Sequence, residues 1–333
     1  MGRIGTWLLV VAVAALGIAA TVDALRGGEA APGPEAAETT NAEPDPLADV
    51  DEQPAGWSRR AAAALEEGGA RGALLVADAD CAVTVLEIPS LLVSRQGRPA
   101  CGFTTSPGGW IGAEPRVVAP GAEVIARCGE GDAETEIFGD GSQLLARVAG
   151  CGPAWTPDGR LSVLRDGGLV AVSPCDADGS CEEMLVDRSG LARIFGRTPW
   201  SFRAPELLAA AWLSRETYAV VVRDAEQGLS AIAVLRGAEL VGGPPFVYEN
   251  LEWLRASPQG SFAATRVGER GLVVVDSNGS FVGTTFRAAS AIAWSPDERW
   301  TAYATAEGVW LVPTGRGNRP LLLPLEAVDV AWR

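Results

Sequence analysis

The balance of apolar and polar positions changes character twice along the chain. From Ile4 to Val22 the residues are almost wholly apolar, relieved only by Gly and Thr, with Arg3 before them and Asp23 and Arg26 after. Because roughly 20 helical residues cross a bilayer core, this pattern predicts one transmembrane signal-anchor helix over residues 4–25. A single Arg ahead of it keeps the short N-terminus, residues 1–3, in the cytoplasm and sends the remainder across. A cleaved signal peptide with Ala20 near its end is the alternative, and both put the bulk of the chain on the extracytoplasmic side. No cysteine lies close enough for a lipobox. Residues 26–56 are then rich in Ala, Pro, Glu and Asp and hold almost no large apolar side chain. Such a stretch cannot bury enough surface to fold, so it is expected to be a disordered linker. Residues 57–71 are expected to be a short helix or connector, since SRRAAAALEE is helix-prone.

From Gly72 to Arg333 the pattern becomes short apolar runs of strand length, punctuated by Gly, Pro, Asp and Ser. These runs repeat. The clearest unit is Ala291 to Val312, AIAWSPDERWTAYATAEGVWLV, and an earlier copy is Gly152 to Val172, GPAWTPDGRLSVLRDGGLVAV. Each reads as a strand ending in Ala-Trp, a Ser/Thr-Pro-Asp turn, a second strand, a tight Gly turn and a third strand. Pro presets φ at the second turn position and Asp completes the turn. Weaker copies begin at Ala211, Leu254 and Val117. The marker position falls at Val118, Trp155, Trp212, Ala256, Trp294 and Trp332, at spacings of 37, 57, 44, 38 and 38 residues. That is about the length of one four-stranded propeller blade. The wide gap leaves room for an irregular insertion near residues 197–206.

Closure follows from the ends of the array. The last marker, Val330-Ala331-Trp332, has no second strand after it, while Gly72–Asp78 looks like a second strand with no first strand before it. The expected fold is therefore all-β: a six-bladed β-propeller over residues 72–333, closed when the C-terminal strand joins the N-terminal blade as its innermost strand. The TYAVVV, AWTPDG and AWSPDE elements resemble the TolB-like and WD40-like six-bladed repeats of bacterial periplasmic propellers. The resemblance covers roughly residues 72–333, is strongest over 152–172 and 291–312, and is loose over 101–150. It implies a fold rather than an activity. Such propellers include partner-binding components of envelope complexes and the non-catalytic propellers of some serine peptidases. No Gly-x-Ser-x-Gly elbow or second domain accompanies this one.

The six cysteines are Cys81, Cys101, Cys128, Cys151, Cys175 and Cys181, with no CxxC pair among them. In an exported chain an even count points to disulfides. Of the fifteen connectivities that six cysteines allow, the repeat favours Cys81–Cys101 and Cys128–Cys151, each joining the end of a blade's second strand to the approach to the next blade. Cys175 and Cys181 bracket the turn DADGS and suit a hairpin bridge.

Charge and chemistry narrow the function classes. A net charge of −15 repels phosphate backbones, which disfavours nucleic acid as a partner. The chain has no histidine, which removes Ser-His-Asp and Cys-His catalysis, His general bases and His-ligated zinc. Nothing calls for a cofactor or a metal. Asp176-Ala177-Asp178-Gly179 starts like a calcium loop but lacks its third ligand before the Gly, and is expected to be an acidic hairpin turn. Asp158, Asp297 and Glu298 sit in the repeated turn, where Asp is structural. The Trp set (Trp155, Trp212, Trp294, Trp332), one per blade, is expected to pack between blades rather than to stack on sugars. Arg160, Arg215, Arg255 and Arg299 all lie close to the repeated turn and could form a positive ring for an anionic ligand at one end of the central channel. The leading expectation is a membrane-tethered, non-catalytic propeller that binds a protein, peptide or envelope polymer. The competing expectation is a lyase or hydrolase using carboxylates in the channel, marked by two or three converging Asp or Glu with shifted pKa values.

Overall fold

A computed structural model describes residues 56–333, apart from 97–99, 101, 114–115, 122, 132, 140–142, 176–178, 269–270, 286–288 and 315–318. The expected transmembrane segment, residues 4–25, and the linker up to residue 55 lie outside the described residues. No helix among the described residues is long and apolar enough to cross a membrane.

The chain begins with helix α1 (Gly56–Glu67), where the sequence predicts one. Strands β1 (Gly72–Ala77), β2 (Val83–Ile88) and β3 (Leu92–Gln96) follow, then a short hairpin, β4 (Phe103–Ser106) and β5 (Trp110–Ala113). The second sheet is β6 (Arg116–Val118), β7 (Ile125–Cys128), β8 (Glu134–Phe138) and β9 (Leu144–Ala149). The third is β10 (Cys151–Trp155), β11 (Leu161–Arg165), β12 (Gly168–Cys175) and β13 (Gly179–Val186), after which comes helix α2 (Arg188–Phe195). The fourth is β14 (Pro205–Trp212), β15 (Thr217–Asp224), β16 (Leu229–Arg236) and β17 (Glu239–Leu240), with β18 (Phe246–Tyr248) also on β16. The fifth is β19 (Leu254–Ala256), β20 (Phe262–Arg266), β21 (Leu272–Asp276) and β22 (Phe281–Thr285). The sixth is β23 (Ala291–Trp294), β24 (Trp300–Thr305), β25 (Gly308–Pro313) and β26 (Leu321–Leu323). The last strand, β27 (Asp329–Trp332), pairs antiparallel with β1 and completes the first sheet as β27-β1-β2-β3. The register places Leu74 opposite Trp332 and Val76 opposite Val330, which is the strand exchange the two chain ends call for. The described residues thus form an all-β architecture of antiparallel, mostly four-stranded sheets, consistent with a propeller.

The repeated turn explains itself in hydrogen bonds. The hydroxyl of Thr156, Ser257 or Ser295 accepts the backbone N–H that opens the next strand, from Arg160 (2.8 Å), Phe262 (2.9 Å) and Trp300 (3.0 Å). Asp158 and Asp297 in turn accept from the hydroxyls of Thr156 and Ser295. Hydroxyl, Pro and Asp are therefore one local unit that ends the first strand and starts the second. In the copy at Ser257-Pro258-Gln259-Gly260, Gly260 has φ +76°, and a Cβ there would stand 1.7 Å from the Leu213 carbonyl oxygen of the neighbouring turn. Only glycine fits that approach.

Apolar faces of successive sheets share cores, as sheets that cannot cover both their own faces require. Trp155, Val163 and Val172 join Ala126 and Val148 between the second and third sheets. Leu169 joins Tyr218, Val220 and Leu235 between the third and fourth. Val221 and Ile232 meet Ala263 and Val273 between the fourth and fifth, and Val274 meets Ile292 and Tyr303 between the fifth and sixth. Leu74, Val76 and Trp332 pack on Trp300 and Leu311 between the sixth and first, capped by Leu65 of α1. The segment near residues 197–206, expected to be irregular, follows α2, whose Phe195 stacks on Phe202.

The interval from the first sheet to the second is built differently. Its core holds Val83, Val85 and Ala331 on one side and Phe103 and Ile111 of the β4–β5 hairpin on the other. The repeat spacing gave no place to this hairpin.

Cys128 and Cys151 are bonded, with Cα atoms 5.3 Å apart at a sequence separation of 23. Cys151 proves to be the first residue of β10 rather than part of a connection, so the bridge fastens the second sheet to the third. Cys81 and Cys181 each take part in a disulfide, but the cysteines expected to be their partners, Cys101 and the side chain of Cys175, lie outside the described residues. Replacing Cys128 and Cys151 together by serine is expected to cost about 3 kcal/mol through the freed unfolded chain. Denaturant melts of the wild type and the double variant measure it.

Candidate functional site

The site begins with the first strands of the sheets, which stand side by side. A cavity of about 370 Å³ lies among β6, β10, β14 and β19, bounded on another side by the hairpin residues Phe103, Thr104, Thr105 and Pro107. Its wall is mainly small or aromatic: Ala154, Ala209, Ala210, Trp155, Trp212 and Trp253. A neighbouring depression of about 430 Å³ shares Pro107 and Trp212 with it and opens among the repeated turns, where Pro120, Pro157, Arg215 and Pro258 face it together with Trp110.

The hairpin is held in place across this space. Phe103 N–H donates to Asp329 Oδ2 (2.6 Å), Thr104 Oγ1 to Arg116 O (2.7 Å), Thr105 Oγ1 to Ala256 O (3.3 Å), and Gly108 N–H to Pro258 O (2.9 Å). It therefore ties the terminal strand β27 to the first strands of the second and fifth sheets.

Asp329 is the other end of a buried ion pair. Both its oxygens face Arg255, at 2.7 and 2.8 Å, and both side chains are under a tenth exposed. Arg255 also donates to the carbonyls of Ile292 and Val330 and lies over the Trp253 ring at 4.9 Å. One guanidinium thus joins the first strands of the fifth, sixth and first sheets, and Asp329 adds the hairpin.

The four arginines singled out in the sequence go to different places. Arg255 is spent on Asp329. Arg160 bonds Asp158 and Glu183; burial opposes its charge, but these two carboxylates outweigh it and raise its pKa above the ordinary value. Arg215 is exposed and borders the depression. Arg299 is exposed with its guanidinium beside Gly69 at the end of α1. Only Arg255 lines the cavity and only Arg215 the depression.

The tryptophans are structural. Trp155, Trp212, Trp294 and Trp332 are all buried. Trp155 donates to Val117 O, Trp212 to Ser162 Oγ and Trp332 to Arg71 O, while Trp294 stacks on Phe262. Among the described residues the one carboxylate lining the cavity is Glu252, which pairs with Arg266 at 3.3 Å. The acidic turn 176–178 lies outside the described residues. Asp329, Phe103 and Trp110 escaped the sequence reading. A lone Asp inside the apolar run Val328–Trp332 was a usable signal, because an acid buried in a strand needs a partner.

No family model matches the chain, and no curated protein matches it. Among solved structures it is similar to the β-propeller domain of Cps50 (Swd1) from Myceliophteria thermophila, at 11% identity over 78% of this chain and 85% of that one, with a TM-score of 0.42. It is also similar to Hsv2 of Kluyveromyces lactis, at 13% identity over 74% and 71% with a TM-score of 0.38. A third likeness is to hydrazine synthase of Kuenenia stuttgartiensis, at 10% identity over 70% of each chain with a TM-score of 0.39.

Proposed function

We propose that the sheets are the six blades of one ring clasped by β27, and that the ring is a non-catalytic binding module. In this reading it is tethered through residues 4–25, stands on the extracytoplasmic side, and presents the mouth of its channel to a protein, peptide or envelope polymer. The resemblance of its repeats to TolB-like and WD40-like propellers agrees with such a role. One observation carries it: the repeated residues are consumed by packing and turn formation, whereas Trp110 and Arg215 at the mouth are exposed and serve neither. Among the described residues the cavity behind them brings no second carboxylate beside Glu252, so its described lining lacks the carboxylate pair of glycoside hydrolysis.

Site-specific photo-crosslinking in native membranes tests this. Benzoylphenylalanine at position 110 of the full-length chain is expected to give a discrete adduct, and the same group at the exposed Met184 of β13 is expected to give none. Equal labelling from both positions, or none from 110, would overturn the reading.

A further inference from the structure

We propose that the depression at the channel mouth is a docking site for an extended, polyproline-type segment of a partner protein that carries a carboxylate. This rests on the binding reading above and names its ligand chemistry.

Three features point there. The first is Trp110. The residue is 39% exposed and borders the depression, and its indole N–H donates to no described residue. The indole N–H groups of Trp155, Trp212, Trp300 and Trp332 all reach a protein acceptor. A polyproline helix has no internal hydrogen bonds and leaves its carbonyls open, so a flat ring beside a spare N–H donor matches it in both respects.

The second is rigidity. Pro107, Pro120, Pro157 and Pro258 come from the hairpin and three repeated turns, and each has φ fixed by its ring. The Gly108 N–H to Pro258 O bond pins the hairpin that carries Trp110. A wall already ordered loses little entropy when a ligand docks.

The third is charge. The chain carries 42 acidic against 27 basic residues, yet among the described residues no carboxylate lines the depression, and its charged residue is Arg215. An acidic side chain on the ligand would meet that guanidinium, while a basic one would gain nothing.

Fluorescence anisotropy tests this with the full-length chain in detergent. The probe is a labelled Pro-Pro-Glu-Pro-Pro peptide, set against Pro-Pro-Lys-Pro-Pro and Gly-Gly-Glu-Gly-Gly. The Glu-Pro peptide is expected to saturate below about 1 mM and to bind at least about tenfold better than either control, a gap of about 1.4 kcal/mol. Trp110→Ala should weaken it by about tenfold or more, and Arg215→Glu should reverse the preference between the Glu and Lys peptides. Neither residue belongs to a core shared between sheets, so both variants are expected to keep a cooperative melt, with Trp110→Ala lowered by no more than the loss of its partly buried ring. Equal binding of the glycine peptide, no saturation, or saturation by a glucan oligosaccharide instead would each overturn the proposal. Crosslinking from position 110 that persists when the peptide fails would remove this inference and leave the binding reading standing.

Discussion

Replacing Asp329 by Ala is expected to destabilise the domain by about 3–5 kcal/mol, because it strands a buried guanidinium. In a domain of this size that is on the order of 10 °C in Tm. The two side chains are only 8% and 7% exposed, so water cannot take the place of the lost partner. What remains to Arg255 is two carbonyls, at 3.4 and 3.3 Å, and the Trp253 ring. Arg255→Met should cost less. Asp329 would still accept from Phe103 N–H and from its neighbour Val330 N–H, at 2.6 and 2.8 Å, and a carboxylate with two backbone donors is better satisfied than a guanidinium with two distant carbonyls. The double variant Arg255→Met/Asp329→Leu should be less destabilised than the sum of its parts, as for other buried pairs replaced by apolar residues. It should not reach the wild type, because Phe103 N–H loses its acceptor. Denaturant melts of the three variants give the order, and an Asp329→Ala effect within about 0.5 kcal/mol, the range of ordinary surface changes, would refute the bridging role.

The contrast between Arg255 and the other arginines shows what a repeat can and cannot reveal. Arg160, Arg215 and Arg299 belong to the turn region and point to solvent or to nearby carboxylates. Arg255 sits one residue before the marker Ala256, inside the first strand of its sheet, where side chains are enclosed by neighbouring sheets. Grouping the four by nearness to the turn missed that difference. The marker tryptophans were legible because one bulky residue recurring at one strand position has to fill one recurring gap. The Ser/Thr-Pro-Asp turns were legible because the hydroxyl and carboxylate bonds that shape them join groups within five residues of one another. The β4–β5 hairpin was not. Its Ser-Pro-Gly-Gly turn between short strands is a hairpin signal, but it lacks the Ala-Trp marker, and two of its anchors are backbone atoms of Ala256 and Pro258, far away in sequence and silent in composition. The apolar depression followed with it, since Trp110 and Pro107 come from that hairpin.

Deleting residues 327–333 is expected to prevent accumulation of the folded domain. The deletion removes every residue of β27, including Trp332, which is 1% exposed and packs in the core shared by the first and sixth sheets. Losing one buried Trp alone costs about 3–5 kcal/mol, and the strand adds the Asp329 ion pair and the ladder to β1. A soluble truncated chain with an unchanged Tm would show that the strand exchange is dispensable. The converse experiment isolates the clasp from the side chains it carries. Ala73 and Arg333 exchange both backbone hydrogen bonds, so Val76 and Val330, three steps along the ladder, form a pair without them. Such pairs bring Cα atoms to about 4.5 Å, within reach of a disulfide. Val76→Cys/Val330→Cys should therefore oxidise without moving either strand and link the two ends of the folded domain. Because the closed loop spans nearly the whole domain, the entropic model puts the gain at about 5 kcal/mol, an upper bound once two buried Val methyl groups are lost. The expected readout is a Tm above that of the same variant under reduction mild enough to spare the Cys128–Cys151 bridge. Failure to oxidise in the folded state would place the two strands in another register and undo the closure.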